Sequence, residues 1–151
     1  MKTLIVCYSN SGNTAKLCAE LSALLPEADV DTINYPGGKR LGFLRALFKI
    51  FSVPKIIEGV TRGPSEYGRV VLMCPVWAGL PAPIMRAYLA QNAEKLRDKE
   101  YSLVFRCGGS DTAAAARAVS DILGGRAAVS VLTVTNNMAK AGEYDLREME
   151  N

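Results

Sequence analysis

The sequence predicts an α/β domain built on a doubly wound parallel sheet. Two observations carry this. Five short apolar runs recur along 151 residues, and amphipathic helical stretches separate them. The first run, "TLIVCY" from Thr3, is continuously apolar and β-branched, as in a strand buried on both faces.

The elements follow in order. "TAKLCAELSALL" puts Leu17, Leu21, Leu24 and Leu25 on one helical face, and Pro26 ends it. "ADVDTINY" is a weaker strand and "RVVLMC" a strong one. "APIMRAYLAQNAEKL" is helical, with Pro81 and Pro83 near its start. "YSLVFRC" is the fourth strand. "DTAAAARAVSDIL" is a helix stopped by Gly124-Gly125, and "AAVSVLTV" is the fifth strand. Strands alternating with helices imply right-handed crossovers. The whole chain, residues 1–151, reads as one domain.

The longest connection runs from about Asn34 to Gly68. "PGGKR" is a turn; "LGFLRALFKIF" then repeats apolar residues at Leu41, Leu44, Leu47, Phe48 and Phe51, with Arg45 and Lys49 opposite. The simplest expectation packs the aromatics on the sheet and leaves the cations in water. A docking face for an acidic redox partner, a substrate wall, or a weak membrane-surface contact are the alternatives. The tail, "AKAGEYDLREMEN", offers few apolar anchors: Ala141, Tyr144, Leu146 and Met149. It predicts a short or atypical last helix; if that helix covers its sheet face poorly, a second subunit could bury the apolar surface left over, as a homodimer.

Composition removes several classes of function. There is no histidine, so histidine triads and histidine metal sites are out. The four cysteines, Cys7, Cys18, Cys74 and Cys107, lack paired metal spacing and read as small core residues. No metal site is expected. No apolar run is long enough for a membrane span or a signal-peptide core, so a cytoplasmic protein is expected. The net charge of +3 is local: residues 39–69 hold seven basic and two acidic residues. That distribution predicts a patch rather than nucleic-acid binding.

The most informative stretch is "YSNSGNTAK", between the first strand and the first helix. Strand-to-helix turns of parallel sheets bind ligands. Ser9, Ser11 and Thr14 bring hydroxyls, Asn10 and Asn13 amides, and Gly12 a close backbone approach. With the unpaired amides of the next helix they make a phosphate nest. Ordinary capping by Ser11 or Asn13 would need only one such residue. The Walker pattern and the three-glycine dinucleotide fingerprint are absent. The acidic residues of a receiver domain are missing, and a cysteine phosphatase would need arginine where Asn13 stands.

The motif S-x-S-G-N-T at Ser9–Thr14 resembles the phosphate loop of the flavodoxins, which bind flavin mononucleotide (FMN). "CPVWAGLPAP", from Cys74, and "RCGGSDT", from Arg106, resemble the two loops that hold the flavin ring in that family. The resemblance runs in order along nearly the whole chain. It implies a flavodoxin-like five-stranded parallel sheet in the order 2-1-3-4-5. It further implies FMN held by Ser9, Asn10, Ser11, Gly12, Asn13 and Thr14 at the phosphate. Pro75, Val76, Trp77, Ala78 and Gly79 would flank one side of the ring, with Trp77 stacked on it. Cys107, Gly108, Gly109, Ser110 and Asp111 would line the other edge. In the family such loops tune the flavin by hydrogen bonding at the ring nitrogen N5.

Two departures from the family pattern matter. Only Asp111 is acidic in the two ring loops, so a less negative potential of the reduced flavin is expected, open to potentiometry. The "CGGSDT" loop has no aromatic residue and would leave the second ring face open. Arg106 would offset the reduced flavin's charge or, as the simpler expectation, pair with an acid. The expected function is electron transfer to a redox partner protein, an acidic one by charge. The alternative is an NAD(P)H-dependent reductase of quinones or other small acceptors, with no assigned catalytic residue; Tyr144 or Arg106 could then act on the substrate. A flavin-free interaction module is a third class, which the intact phosphate loop disfavours.

Overall fold

The computed structural model describes residues 1–38, 40–109 and 111–151. Strand β1 (Thr3–Cys7) leads into helix α1 (Asn13–Leu24) and edge strand β2 (Asp29–Thr32). A long connection carries α2 (Phe43–Lys49). Then come β3 (Arg69–Trp77), the two-residue β4 (Leu80–Pro81), α3 (Pro83–Leu96), β5 (Glu100–Cys107) and α4 (Ala113–Ile122). β6 (Val131–Thr135) and α5 (Asn136–Ala141) close the chain with a 3-10 turn at Leu146–Met149.

The sheet order is β2-β1-β3-β5-β6, all parallel, and β4 folds back antiparallel on β3. Counting the five parallel strands alone, this is the expected 2-1-3-4-5. Alternate residues of each strand feed two cores. Leu4, Val6, Tyr8, Leu72, Leu103 and Phe105 pack with Ile84, Tyr88 and Val119 of α3 and α4. Ile5, Cys7, Val71, Met73 and Val134 pack with Leu17, Cys18 and Leu21 of α1. Cys7, Cys18 and Cys74 are buried, as their apolar settings imply. Order reverses between β1 and β3, which sets the crevice of a doubly wound fold at their carboxyl ends.

Three expectations change. The third strand continues past Cys74 through Trp77, because β4 pairs Val76 with Pro81 and Trp77 with Leu80. The tail covers its sheet face after all: Leu146 and Met149 are buried in the α1-side core. Their three-residue spacing fits one 3-10 turn. Tyr144 adds a hydroxyl bond to Glu20 of α1 at 2.9 Å.

The third change concerns α2. Its apolar side does not face the sheet. Phe43, Phe48 and Phe51 are 82%, 83% and 80% exposed, and Leu44 and Leu47 are exposed with them. The segment rests on the body through Ile50, which is buried, and the half-buried Ala46. The far end of the same connection is firmly held. The buried Asp31 carboxylate of β2 accepts from Thr61 N at 3.0 Å, Thr61 Oγ1 at 2.6 Å and Arg62 N at 3.0 Å, and pairs with Arg62 Nη1 at 2.9 Å. These contacts also shield the β2 edge. Among the described residues, no helix is long and apolar enough to cross a membrane.

Candidate functional site

The loop after β1 enters α1 through Gly12, whose φ of 94° lies in the left-handed region that glycine occupies without strain. Its N–H donates to Ser9 Oγ at 3.1 Å, which closes the turn. No side chain caps α1, so neither Ser11 nor Asn13 plays the ordinary capping role. Its first-turn amides therefore keep the positive end of the helix dipole available for an anion. Thr14 is buried beneath them, and Ser11 and Asn13 are exposed. Asn10 is spent differently: its Oδ1 accepts from Leu41 N at 2.8 Å and its Nδ2 donates to Leu41 O at 3.0 Å. It clips the start of the long connection to the loop.

The segment after Cys74 is a tight β-hairpin. Ala78 and Gly79 turn it with φ of 48° and 77°, the signs of a type I′ turn. Among the described residues, Ala78 is the one non-glycine with positive φ. Trp77 is half-buried and meets Tyr8 edge-on at 6.2 Å between centroids, and Tyr8 meets Tyr35 edge-on at 5.9 Å. Arg86 of α3 braces the hairpin through Nε to Pro81 O at 3.0 Å, and its Nη2 donates to Ile50 O beyond α2.

At the end of β5, Arg106 Nη1 donates to Asn136 Oδ1 at 2.7 Å, Cys107 O at 3.1 Å and Val134 O at 3.3 Å. The expected acidic partner is absent: among the described residues no carboxylate forms an ion pair with it. Cys107 Sγ lies 2.9 Å from Gly109 O, and burial pushes its thiol up. Asp111 Oδ1 accepts from the N–H of Ala113, the first residue of α4, at 2.9 Å. Ser110 lies outside the described residues.

A cavity of 160 Å³ joins three of these segments. Asn10, Ser11, Asn13 and Thr14 line it from the first loop, Pro75, Val76 and Trp77 from β3, and Arg106, Cys107 and Gly108 from β5. Asn136 completes the wall. Ser9 and Gly12 shape the first loop from behind. Ala78 and Gly79 turn the hairpin outside this cavity, and Gly109 and Asp111 stand off it. A second cavity of 480 Å³ shares Asn10 and Trp77 and opens toward α2 past Ala78, Leu41, Phe43, Leu47 and Ile50.

Asn136 and Tyr8 were not singled out from the sequence. Tyr8 was recoverable, since it shares strand parity with Leu4 and Val6 and must face the same core as Trp77's neighbours. Asn136 carries no signal of its own, because β6 passes into α5 without a connecting residue.

The Cys7 and Cys74 thiols offer no nucleophile. The hydrogen bond with Cys18 and burial push the Cys7 thiol up, and burial pushes Cys74 up to about 12. Both stay protonated at neutral pH. Among the described residues, no cluster of cysteine and carboxylate side chains is fit to hold a metal.

No family model matches the chain, and no curated protein is significantly similar to it. Solved structures are. A flavoprotein from Lactobacillus acidophilus NCFM in complex with FMN aligns over 95% of this chain and 97% of its own, with TM-score 0.69 and 19% identity. The two-electron reduced flavodoxin of Megasphaera elsdenii aligns over 87% and 84%, with TM-score 0.56 and 20% identity. An azoreductase from Bacillus anthracis str. Sterne aligns over 95% and 91%, with TM-score 0.52 and 18% identity. The strand order, the crevice at its reversal point and these alignments together make this a flavodoxin-like fold.

Proposed function

We propose that the chain binds FMN noncovalently and transfers electrons between its flavin and a redox partner. One observation carries this reading: an uncapped helix terminus, a tryptophan and an arginine without a carboxylate partner converge on one cavity. Each fits a part of the cofactor. The first-turn amides of α1, with the Ser11 and Thr14 hydroxyls, suit a phosphate monoester. Trp77, braced by Tyr8, suits a flat heterocycle. Gly108 presents backbone with no side chain in the way. The volume of 160 Å³ is below that of a typical ligand pocket, so it would enclose only part of the cofactor and leave an edge of the ring open to exchange electrons.

When bound, FMN supplies one- and two-electron chemistry. The protein's part is to hold it and set its electrostatics. Arg106 adds positive charge to the cavity wall beside the first turn of α1, where it would answer the phosphate. With Asp111 the one acid in the two ring loops, a reduced flavin would meet little negative charge there, which supports a less negative potential than acidic ring loops would give. The FMN-bound neighbour of the same fold supports the cofactor assignment.

A second reading, an NAD(P)H-dependent reductase of quinones or other small acceptors, is favoured by the 480 Å³ cavity beside Trp77, which could admit an apolar acceptor. Titration with FMN should quench the fluorescence of Trp77, the lone tryptophan. Ser11→Ala/Thr14→Val should weaken FMN and leave riboflavin little changed. A protein that ignores FMN refutes both readings, and rapid NADPH oxidation with a quinone acceptor selects the second.

A further inference from the structure

We propose that the outer face of α2 seats this protein on an anionic lipid bilayer. The face is built from Phe43, Leu47 and Phe51 in one row and Leu44 and Phe48 in the next. All five are more than half exposed. Together they present on the order of 600 Å² of apolar surface, the upper end of what a soluble monomer shows. Ile56, 67% exposed, prolongs it along the same connection.

Charge selects the occupant. The 25 residues from Ile33 to Ile57 contain five basic residues and no acid. Arg45 and Lys49 stand on α2 beside the apolar rows, and Arg40 and Lys55 flank the helix, all exposed. An apolar face of phenylalanine and leucine edged by cations is the composition of a helix lying in a membrane interface. The long basic side chains can reach lipid phosphates while their stems stay apolar. The helix rests on the body through Ile50, the half-buried Ala46 and the Lys49 ammonium, 5.6 Å from the Tyr35 ring centroid, so the five exposed apolar side chains can enter lipid without repacking the core.

Two other occupants fit less well. A second copy docking through the same face by a two-fold axis would set each protomer's cations against the other's, with no acid to answer them. An acidic redox protein would satisfy the charges, but such encounters are small and polar, and this face is dominated by phenylalanine.

The test uses the purified protein loaded with FMN, in flotation against phosphatidylglycerol/phosphatidylcholine vesicles and against phosphatidylcholine alone. The protein should float with the anionic vesicles at low salt, poorly with the neutral ones, and less as salt rises. Phe48→Ser/Phe51→Ser changes two exposed side chains and should keep the wild-type melting temperature and FMN affinity. Its partition onto anionic vesicles should fall about tenfold or more. No flotation of the wild type, equal flotation with both vesicles, or an undiminished double variant overturns the proposal. A wild-type dimer in sedimentation that the double variant breaks, without flotation, overturns it in favour of a second copy. Retention on immobilised polyglutamate without flotation overturns it in favour of an acidic protein. Failure to bind FMN would refute the proposed function and leave the flotation result standing.

Discussion

Arg106→Gln isolates the charge in the cavity proposed for FMN. The glutamine amide can still donate toward Asn136 Oδ1, now 2.7 Å from the guanidinium, so the wall should survive the change. A cavity of 160 Å³ is as large as a sphere about 7 Å across, so at an effective dielectric of about 20 a charge on one wall is worth about 2 kcal/mol to a unit anion on the other. That is about 30-fold in affinity for one unit of negative charge. Arg106 also borders the first turn of α1, because Asn13, Arg106 and Asn136 line both this cavity and its neighbour along α1. The anion it senses is therefore the phosphate end. Quenching of Trp77 gives the dissociation constants. FMN should bind the variant about 30-fold more weakly in low salt, and riboflavin within threefold of wild type. Equal weakening of both ligands, or of neither, would refute the assignment of Arg106 to the phosphate.

Two further outcomes concern the scaffold. Asp31→Ala removes a buried carboxylate and leaves the Thr61 and Arg62 amides and the Thr61 hydroxyl without their acceptor; urea unfolding should show a loss of about 3 kcal/mol, and a loss below about 1 kcal/mol would mean the far end of the long connection is held by something else. Asp29 is held below the usual carboxylate range, first by its hydrogen bond with Lys2 and then by the Tyr67 hydroxyl, and Arg147 does the same for Asp145. Both folded values are depressed, so their contribution is present above the ordinary carboxylate value and is lost as pH falls through the folded one. The melting temperature should stay level from pH 7 to about 5 and drop below about 4, and Asp29→Asn should shallow that acid limb. An identical limb in variant and wild type would remove Asp29 from the account.

The strand order and the loop after β1 were legible because each rests on local chemistry. A continuous aliphatic run followed by hydroxyls and a glycine has few uses at a strand-to-helix turn. The hairpin at Trp77 was harder. Pro81 and Pro83 read as the start of a helix, which holds for Pro83 in the first turn of α3, whereas Pro75 and Pro81 sit in strands. The spacing of Phe43, Leu44, Leu47, Phe48 and Phe51 revealed an amphipathic helix correctly. Periodicity says which residues share a face and not which way that face turns. Here Ile50 and Ala46 make the contact instead. The short last helix and its anchors Leu146 and Met149 were legible, but not how well they cover the sheet, because one 3-10 turn is too short to show a period.

A single side chain, Arg86, grips both the carbonyl of Ile50 beyond α2 and the carbonyl of Pro81 on the hairpin. Any load placed on the outer helix is thereby passed to the strand partner of the indole. Should α2 dock and the cavity hold FMN as proposed, Arg86 would tie the docked helix to the hairpin beside the flavin, and docking would then be readable in the absorption of the bound cofactor.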